Sequence, residues 1–430
     1  MLLISLGASR LSAQEMPMNH TEKATSPASH QQTIPNLAAL TLADCYALAL
    51  KRSETIAIQR EIIKETEGRF LQALSSILPR VSFALTEKRQ DGSGGSAFTL
   101  REIPEYKFVF SQPLFAGFKE FAAMAASRAE HRERIDERVR AEHLLFLDVV
   151  NSFSFLLQER EDLRALETIR LAILERLDEL HERERLGRTR LSEVASAEAQ
   201  LRRVEADLED VQSQETTARQ LLEFLTGREP IEAITDTDSS TPPVEEEAAY
   251  LAKATTRPDV RAAEEAWHVA QRGVTIAQAK FWPTVGVDGN YYTKRAGASK
   301  DVTWDVELKV DAPLFQGGQA VGAVREASSK AREAKLRYEQ LQRSASLEIR
   351  EAYVELQAAR RRSAALERAL KAADTSYQLQ AQDYRLNLVN NLDVLQALQA
   401  LQDVHREVIR AQAQLTQRYW HLQVAVGETS

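Results

Sequence analysis

The residues able to do chemistry are present but not gathered into a reactive site. Eight histidines are scattered without a His-x-x-x-His pair, and one cysteine excludes an intramolecular disulfide and a Cys-based zinc site. No Gly-rich phosphate loop follows a strand pattern, and no Gly-x-Ser-x-Gly occurs. The carboxylates crowd into 130–142 and 175–184, where they alternate with arginine, as the solvated faces of charged helices do. His405 lies between apolar seam positions and reads as a core-edge residue, not a ligand. The chain is therefore expected to be no enzyme, with no cofactor and no metal. Its net charge of −8 argues against nucleic acid, which needs clustered Lys and Arg.

The elements that position the remaining candidates come in two copies. Ser111-Gln-Pro-Leu-Phe-Ala-Gly117 recurs as Asp311-Ala-Pro-Leu-Phe-Gln-Gly317, and Ile77-Leu-Pro-Arg-Val81 recurs as Phe281-Trp-Pro-Thr-Val285. Arg185-Leu-Gly-Arg188 recurs as Arg385-Leu-Asn-Leu388, and Glu193-Val194 as Asp393-Val394. Each half reads as helix, strand hairpin, very long helix, second long helix. The spacing predicts a first repeat over 41–227, with strands at about 80–90 and 104–113 and long helices at about 116–186 and 188–227. A linker at 228–247 carries Thr241-Pro242-Pro243. The second repeat covers 248–428, with strands at about 284–294 and 302–312 and long helices at about 318–386 and 390–427.

Glycine and proline are scarce, 16 and 12 in 430 residues, so helices can run without a breaker. The stretch from Phe118 to Leu186 would be on the order of 100 Å long as one helix. Gly187 and Asn387 sit where the long helices must reverse, and both residue types accept the left-handed conformation that ends a helix. Val194, Ala197, Leu201, Val204, Leu208 and Val211 follow 3,4 spacing. So do Val394, Ala397, Leu401, Val404, Val408, Ala411 and Leu415, a narrow seam for helix pairing.

In the hairpins, Val302, Trp304, Val306, Leu308 and Val310 alternate with Asp305, Glu307 and Lys309. A soluble sheet with one wet face gives this pattern, and so does a barrel with lipid outside and water inside. No apolar run is long enough for a transmembrane helix. Strands of about ten residues do reach across a bilayer when tilted. Four strands cannot close alone, and an open edge in lipid leaves backbone groups unpaired, so the membrane reading requires an oligomer that pools strands. At the N-terminus, the apolar run from Leu2 to Ala8 and Leu11-Ser12-Ala13 suggest an export signal over 1–13, ahead of a polar, disordered 14–40. Cys45 stands in a helical pattern far from that region and reads as core.

With these residues in view, the chain resembles the TolC-like outer-membrane efflux proteins from about Leu42 to Glu428. The doubled Pro-Leu-Phe-x-Gly, the doubled proline at each strand start and the segment Tyr384-Arg-Leu-Asn387-Leu-Val-Asn390-Asn-Leu-Asp393-Val394-Leu395 carry the likeness. The resemblance implies a mainly α fold with a small β part. It implies a homotrimer, whose 12-stranded transmembrane β-barrel continues into a long periplasmic α-helical barrel. The implied function is a passive exit duct for efflux or secretion in the outer membrane, served by a periplasmic adaptor protein and an inner-membrane pump. It implies a gate at the helix tips, with Asp393 as the gate aspartate and Glu193 as its repeat equivalent. Tyr384, Arg385, Arg185 and Arg188 would then be tip packing or salt-bridge residues. Val302, Trp304, Val306, Leu308 and Val310 would face lipid, and Asp305, Glu307 and Lys309 the lumen. Val389 and Gln396 depart from the basic residue and second aspartate of some members, which would weaken the closed tip and its acidic ring. The competing reading is a soluble coiled-coil scaffold without a pore.

Overall fold

A computed structural model describes residues 39–235, 243–386 and 388–429. The expected export signal, Asn387 and most of the Pro-containing part of the linker lie outside the described residues. Each repeat opens with shorter helices. In the first these are α1 (Leu42–Arg52) and α2 (Glu54–Ser75), followed by β1 (Arg80–Arg89), β2 (Glu102–Ala116), α3 (Lys119–Arg185) and α4 (Leu191–Thr226). The second contains α5 (Glu247–Ala252), α6 (Pro258–Gln278), β3 (Thr284–Arg295), β4 (Trp304–Asp311), α7 (Gln319–Arg385) and α8 (Asn391–Val426). Both α3 and α7 have 67 residues, about 100 Å at 1.5 Å per residue.

The strands form one antiparallel sheet in the order β1-β2-β3-β4, so the two hairpins meet along β2 and β3. The strand predicted from Val302 begins instead at Trp304. Val302 lies in the preceding turn, where Ser299 O accepts its N–H, and the last bond across the hairpin mouth runs from Tyr292 N to Thr303 O. β2 runs beyond Pro113 to Ala116 because the register shifts between Pro113 and Phe115, and a bulge accommodates a residue without an N–H.

After each hairpin the chain turns into its long helix through two left-handed residues, Gly117-Phe118 and Gly317-Gly318. That geometry explains the glycine in the repeated Pro-Leu-Phe-x-Gly. The far reversal of the first repeat is a Schellman turn. Gly187 has φ 67°, its N–H donates to Glu184 O, and Arg188 N donates to Arg183 O at 2.8 Å. In the second repeat Leu388 N donates to Asp383 O at 2.9 Å.

The helices lie side by side in a layer. Near the sheet α3 packs between α2 and α6, and α6 also packs on α7; toward the tips α3 packs on α4 and α8, and α8 on α7. The duplication is visible in the core. Val149, Leu156 and Leu222 fill one cluster, and Ile349, Leu356 and Leu422, each 200 residues on, fill another. The α4 seam is narrow, as its spacing implies, whereas α8 also buries Leu395, Leu398 and Gln402 because it packs against α3 as well as α7. Part of the predicted linker is docked. Ile231 is buried in the first cluster, its N–H donates to Glu223 Oε1, and residues Leu40 and Ile234 form a parallel bridge.

Candidate functional site: the helix tips and the two-faced sheet

The tip is where the two repeats clasp each other. Tyr384, in the last turn of α7, is only 5% exposed and shares a cluster with Leu180, Val194, Ala197, Val394 and Leu395. Its ring lies under two guanidinium groups of α3, Arg176 at 3.7 Å and Arg183 at 4.6 Å from the centroid. Glu179 holds both arginines from the same helix, at 2.6 and 2.8 Å. Arg176 Nε also donates to Asn391 Oδ1 at 3.0 Å, and Asn391 Nδ2 donates to Glu193 O at 3.5 Å. Four helices are thereby joined through one buried asparagine and one buried ring.

Glu193 and Asp393 occupy equivalent places in the first turns of α4 and α8, beside the paired Val194 and Val394. Each half-buried carboxylate has one local hydrogen bond. Thr189 Oγ1 donates to Glu193 Oε2 at 2.7 Å, and Asn390 N donates to Asp393 Oδ2 at 3.1 Å. Asn390 Oδ1 in turn accepts from Asp393 N, a reciprocal capping box. Arg185 is exposed and paired with Glu182 of its own helix at 2.8 Å. Arg188 and Arg385 are exposed and have no ion pair among the described residues.

Arg176, Arg183 and Asn391 were not singled out in the sequence, because their partners lie up to 215 residues away. The readable signal was a second asparagine directly after the N-cap, a residue type that is buried only when its amide is satisfied. Arg257 was missed likewise. It is 2% exposed, bonds Asp259 through two nitrogens and Ala425 O at 2.9 Å, and pairs with Glu348 at 2.8 Å. It thus ties the start of α6 to the end of α8. Beside it, burial pushes the His143 imidazole below its ordinary pKa, helped by the Arg140 charge.

The sheet sorts its side chains by face across all four strands. The rows Phe83–Phe108–Tyr291–Trp304 and Val81–Phe110–Gly289–Val306 lie on one face, continued by Val287–Leu308 and Val285–Val310. Most of these large side chains are exposed. The rows Arg80–Ser111–Asp288–Glu307 and Ser82–Val109–Asn290–Asp305 lie on the other, and Lys309 with them. There Ser111 Oγ donates to Asp288 at 2.6 Å and Asn290 Nδ2 to Asp305 at 2.7 Å. Among the described residues no helix is long and apolar enough to cross a membrane, and no group of acidic, His or Cys side chains could hold a metal ion. His405 lines a groove between α3, α7 and α8.

A four-stranded sheet with one apolar face, continued by paired helices of about 100 Å, defines a TolC-like channel architecture. Residues 252–428 match the family described as outer membrane efflux protein. Nodulation protein T of Rhizobium leguminosarum bv. trifolii is 26% identical over 176 residues, 40% of this chain. The match covers 38% of that relative's length. Among solved structures, CusC superposes with a TM-score of 0.79 at 18% identity, covering 90% of this chain and 92% of that chain. VceC from Vibrio cholerae has a TM-score of 0.79 at 22% identity, covering 90% and 96%. Residues 252–428 are thus similar to the outer membrane efflux proteins, and the chain shares its fold with the TolC-like structures.

Proposed function

We propose that the protein is the outer-membrane exit duct of a multi-component efflux or secretion system. Three copies pool their strands into a 12-stranded barrel and their long helices into a tunnel through the periplasm. The observation that carries this reading is the sheet. It has an apolar face across four strands, a polar opposite face, and two unpaired edges, β1 and β4. Lipid is the medium that such a face fits, and unpaired edges are not tolerated in lipid, so other copies must close the sheet. CusC, which shares the fold, is described in connection with transmembrane channel formation.

In this reading Trp304, Val306, Leu308 and Val310 face lipid, while Asp305, Glu307 and Lys309 line water. The tips form the gate. Asp393 and Glu193 from each copy form an acidic constriction that attracts cations, and the Tyr384 clasp holds each tip closed. A periplasmic adaptor protein and an inner-membrane pump deliver the substrate, and the duct conducts it passively. Planar bilayers test the proposal. Purified protein should insert and give discrete conductance steps. Protein that stays soluble without detergent and gives no steps would restore the pore-free scaffold reading.

A further inference from the structure

Between α2 and α3, near the sheet, lies a cleft of about 470 Å³ with mostly apolar walls. Phe70 and Leu71 of α2 form one side, and Ser127, Arg128 and His131 of α3 the other. Thr66 Oγ1 donates to Ile63 O at 2.6 Å and so accepts from His131 Nδ1 at 2.8 Å, which fixes the imidazole in the wall. Ser127 is 6% exposed, and its hydroxyl has no hydrogen-bond partner among the described residues. A buried hydroxyl is normally paired, so this one is a donor held ready for a ligand.

Two charges rim the cleft. Glu67 and Arg128 are exposed, and neither has an ion pair among the described residues. The other basic groups nearby are engaged. Arg132 holds Glu265 of α6 through two parallel bonds of 2.7 and 2.8 Å. Arg69, about 200° around α2 from Leu71, pairs with Glu65 and Glu130. The Arg128 guanidinium lies over the Phe70 ring, 5.4 Å from its centre, so its in-plane N–H groups stay available to donate.

We propose that the cleft binds one phospholipid with a zwitterionic, primary-ammonium headgroup, drawn from the inner leaflet of the outer membrane. Its phosphate meets Arg128 and the Ser127 hydroxyl, its ammonium meets Glu67, and an acyl chain lies against Phe70 and Leu71. This rests on the membrane reading proposed above and adds a lipid site to it. The paired signs at the rim set the class. One carboxylate and one guanidinium suit a zwitterion, whereas an anionic headgroup would leave Glu67 facing a like charge.

The cleft is within reach of the leaflet. Arg128 stands about 13 Å from the start of α3, at 1.5 Å per residue. Phe121, two turns nearer the sheet on the same stripe, is 61% exposed, and Phe118 is 58% exposed. They carry the chains past a headgroup layer about 5–8 Å deep toward the apolar face of the strands. The fold does not require this site, because the second repeat does not keep its residues. There α6 follows α2 by 204 residues (Pro79, Pro283) and α7 follows α3 by 200 (Pro113, Pro313). Glu67, Leu71, Ser127 and Arg128 correspond to Gln271, Thr275, Ala327 and Ser328.

Native mass spectrometry of the detergent-extracted, full-length protein tests the site, with dioleoyl phosphatidylethanolamine added as the probe. Each chain of the assembly should retain one lipid, and phosphatidylglycerol should bind roughly tenfold more weakly. Ser127→Leu, which fills the cleft, and Arg128→Gln should each weaken retention roughly tenfold with the assembly mass unchanged. Glu67→Gln should turn the preference toward phosphatidylglycerol. Equal retention in wild type, Ser127→Leu and Arg128→Gln would overturn the site. So would displacement of the lipid by millimolar inorganic phosphate, the mark of a free-anion site. Wild type that holds both lipids equally would overturn the zwitterion assignment. An assembled wild type that retains no lipid would overturn the site and leave the channel reading standing. A wild type that is monomeric and soluble without detergent would instead defeat the membrane reading on which the site depends.

Discussion

The Arg176 guanidinium stacks 3.7 Å from the centre of the Tyr384 ring, joining the outgoing helix of the first repeat to the last helical turn before the reversal of the second. The ring makes this contact, and no hydrogen bond of the Tyr384 hydroxyl is present among the described residues. Cation–π contacts with a desolvated partner are worth up to about 2 kcal/mol. Tyr384→Phe should therefore leave the closed channel tight, whereas Tyr384→Ala and Arg176→Ala should raise the basal open fraction roughly tenfold in planar bilayers. An equal leak in Tyr384→Phe would assign the clasp to the hydroxyl.

The two faces of β4 give a second expectation. Val306→Arg places a charge among Phe110, Gly289 and lipid and should cost roughly 2–4 kcal/mol if it meets mid-bilayer hydrocarbon. Glu307→Arg faces water and should be much milder. The temperature at which the assembled protein dissociates in detergent reads both, and equal effects would reverse or void the assignment.

For the tip acids, charge can be separated from capping. Asp393→Asn keeps an oxygen able to accept from Asn390 N but removes the negative charge. Together with Glu193→Gln it should reduce cation preference and block by multivalent cations with little loss of stability. Asn390→Ala should do the reverse, costing about 1 kcal/mol of helix stability with unchanged selectivity. Unchanged selectivity and block in the double variant would leave the acids as helix-end residues.

Much of this architecture was legible because it is repeated. The proline and Pro-Leu-Phe-x-Gly markers occur twice in order, and alternation from Trp304 to Asp311 fixes the faces of β4. Local hydrogen bonding set what was misjudged, including the late start of β4 after Val302 and the extension of β2 through its bulge. The clasp was not legible, since Arg176 looks like any other arginine on a charged helix until α8 brings Asn391 against it. Arg257, whose partners come from α6, α7 and α8, was hidden for the same reason.

The buried His143 predicts acid sensitivity. Burial is the main cause, reinforced by the Arg140 and Arg257 charges, and favours the neutral ring; Asp259 opposes them. A folded pKa below the unfolded value means that the unfolded chain binds more protons, so stability falls as pH drops below about 6.5 and levels off beneath the folded pKa. Each tenfold preference for the neutral form is worth about 1.4 kcal/mol. Asp259 is itself held low: burial would raise it, but its bonds to Arg257 outweigh that, so its stabilisation is lost only under stronger acid, below about 3.8. His143→Gln should flatten the thermal stability profile between pH 7 and 5 and leave the lower-pH loss intact.

The central claim is that one chain supplies only part of a closed barrel. Detergent-corrected light scattering of the purified, extracted protein measures this directly. A protein mass of about three chains of 48.3 kDa is expected, because four strands with two open edges need partners to close. A clean monomer of full-length protein in detergent would contradict it.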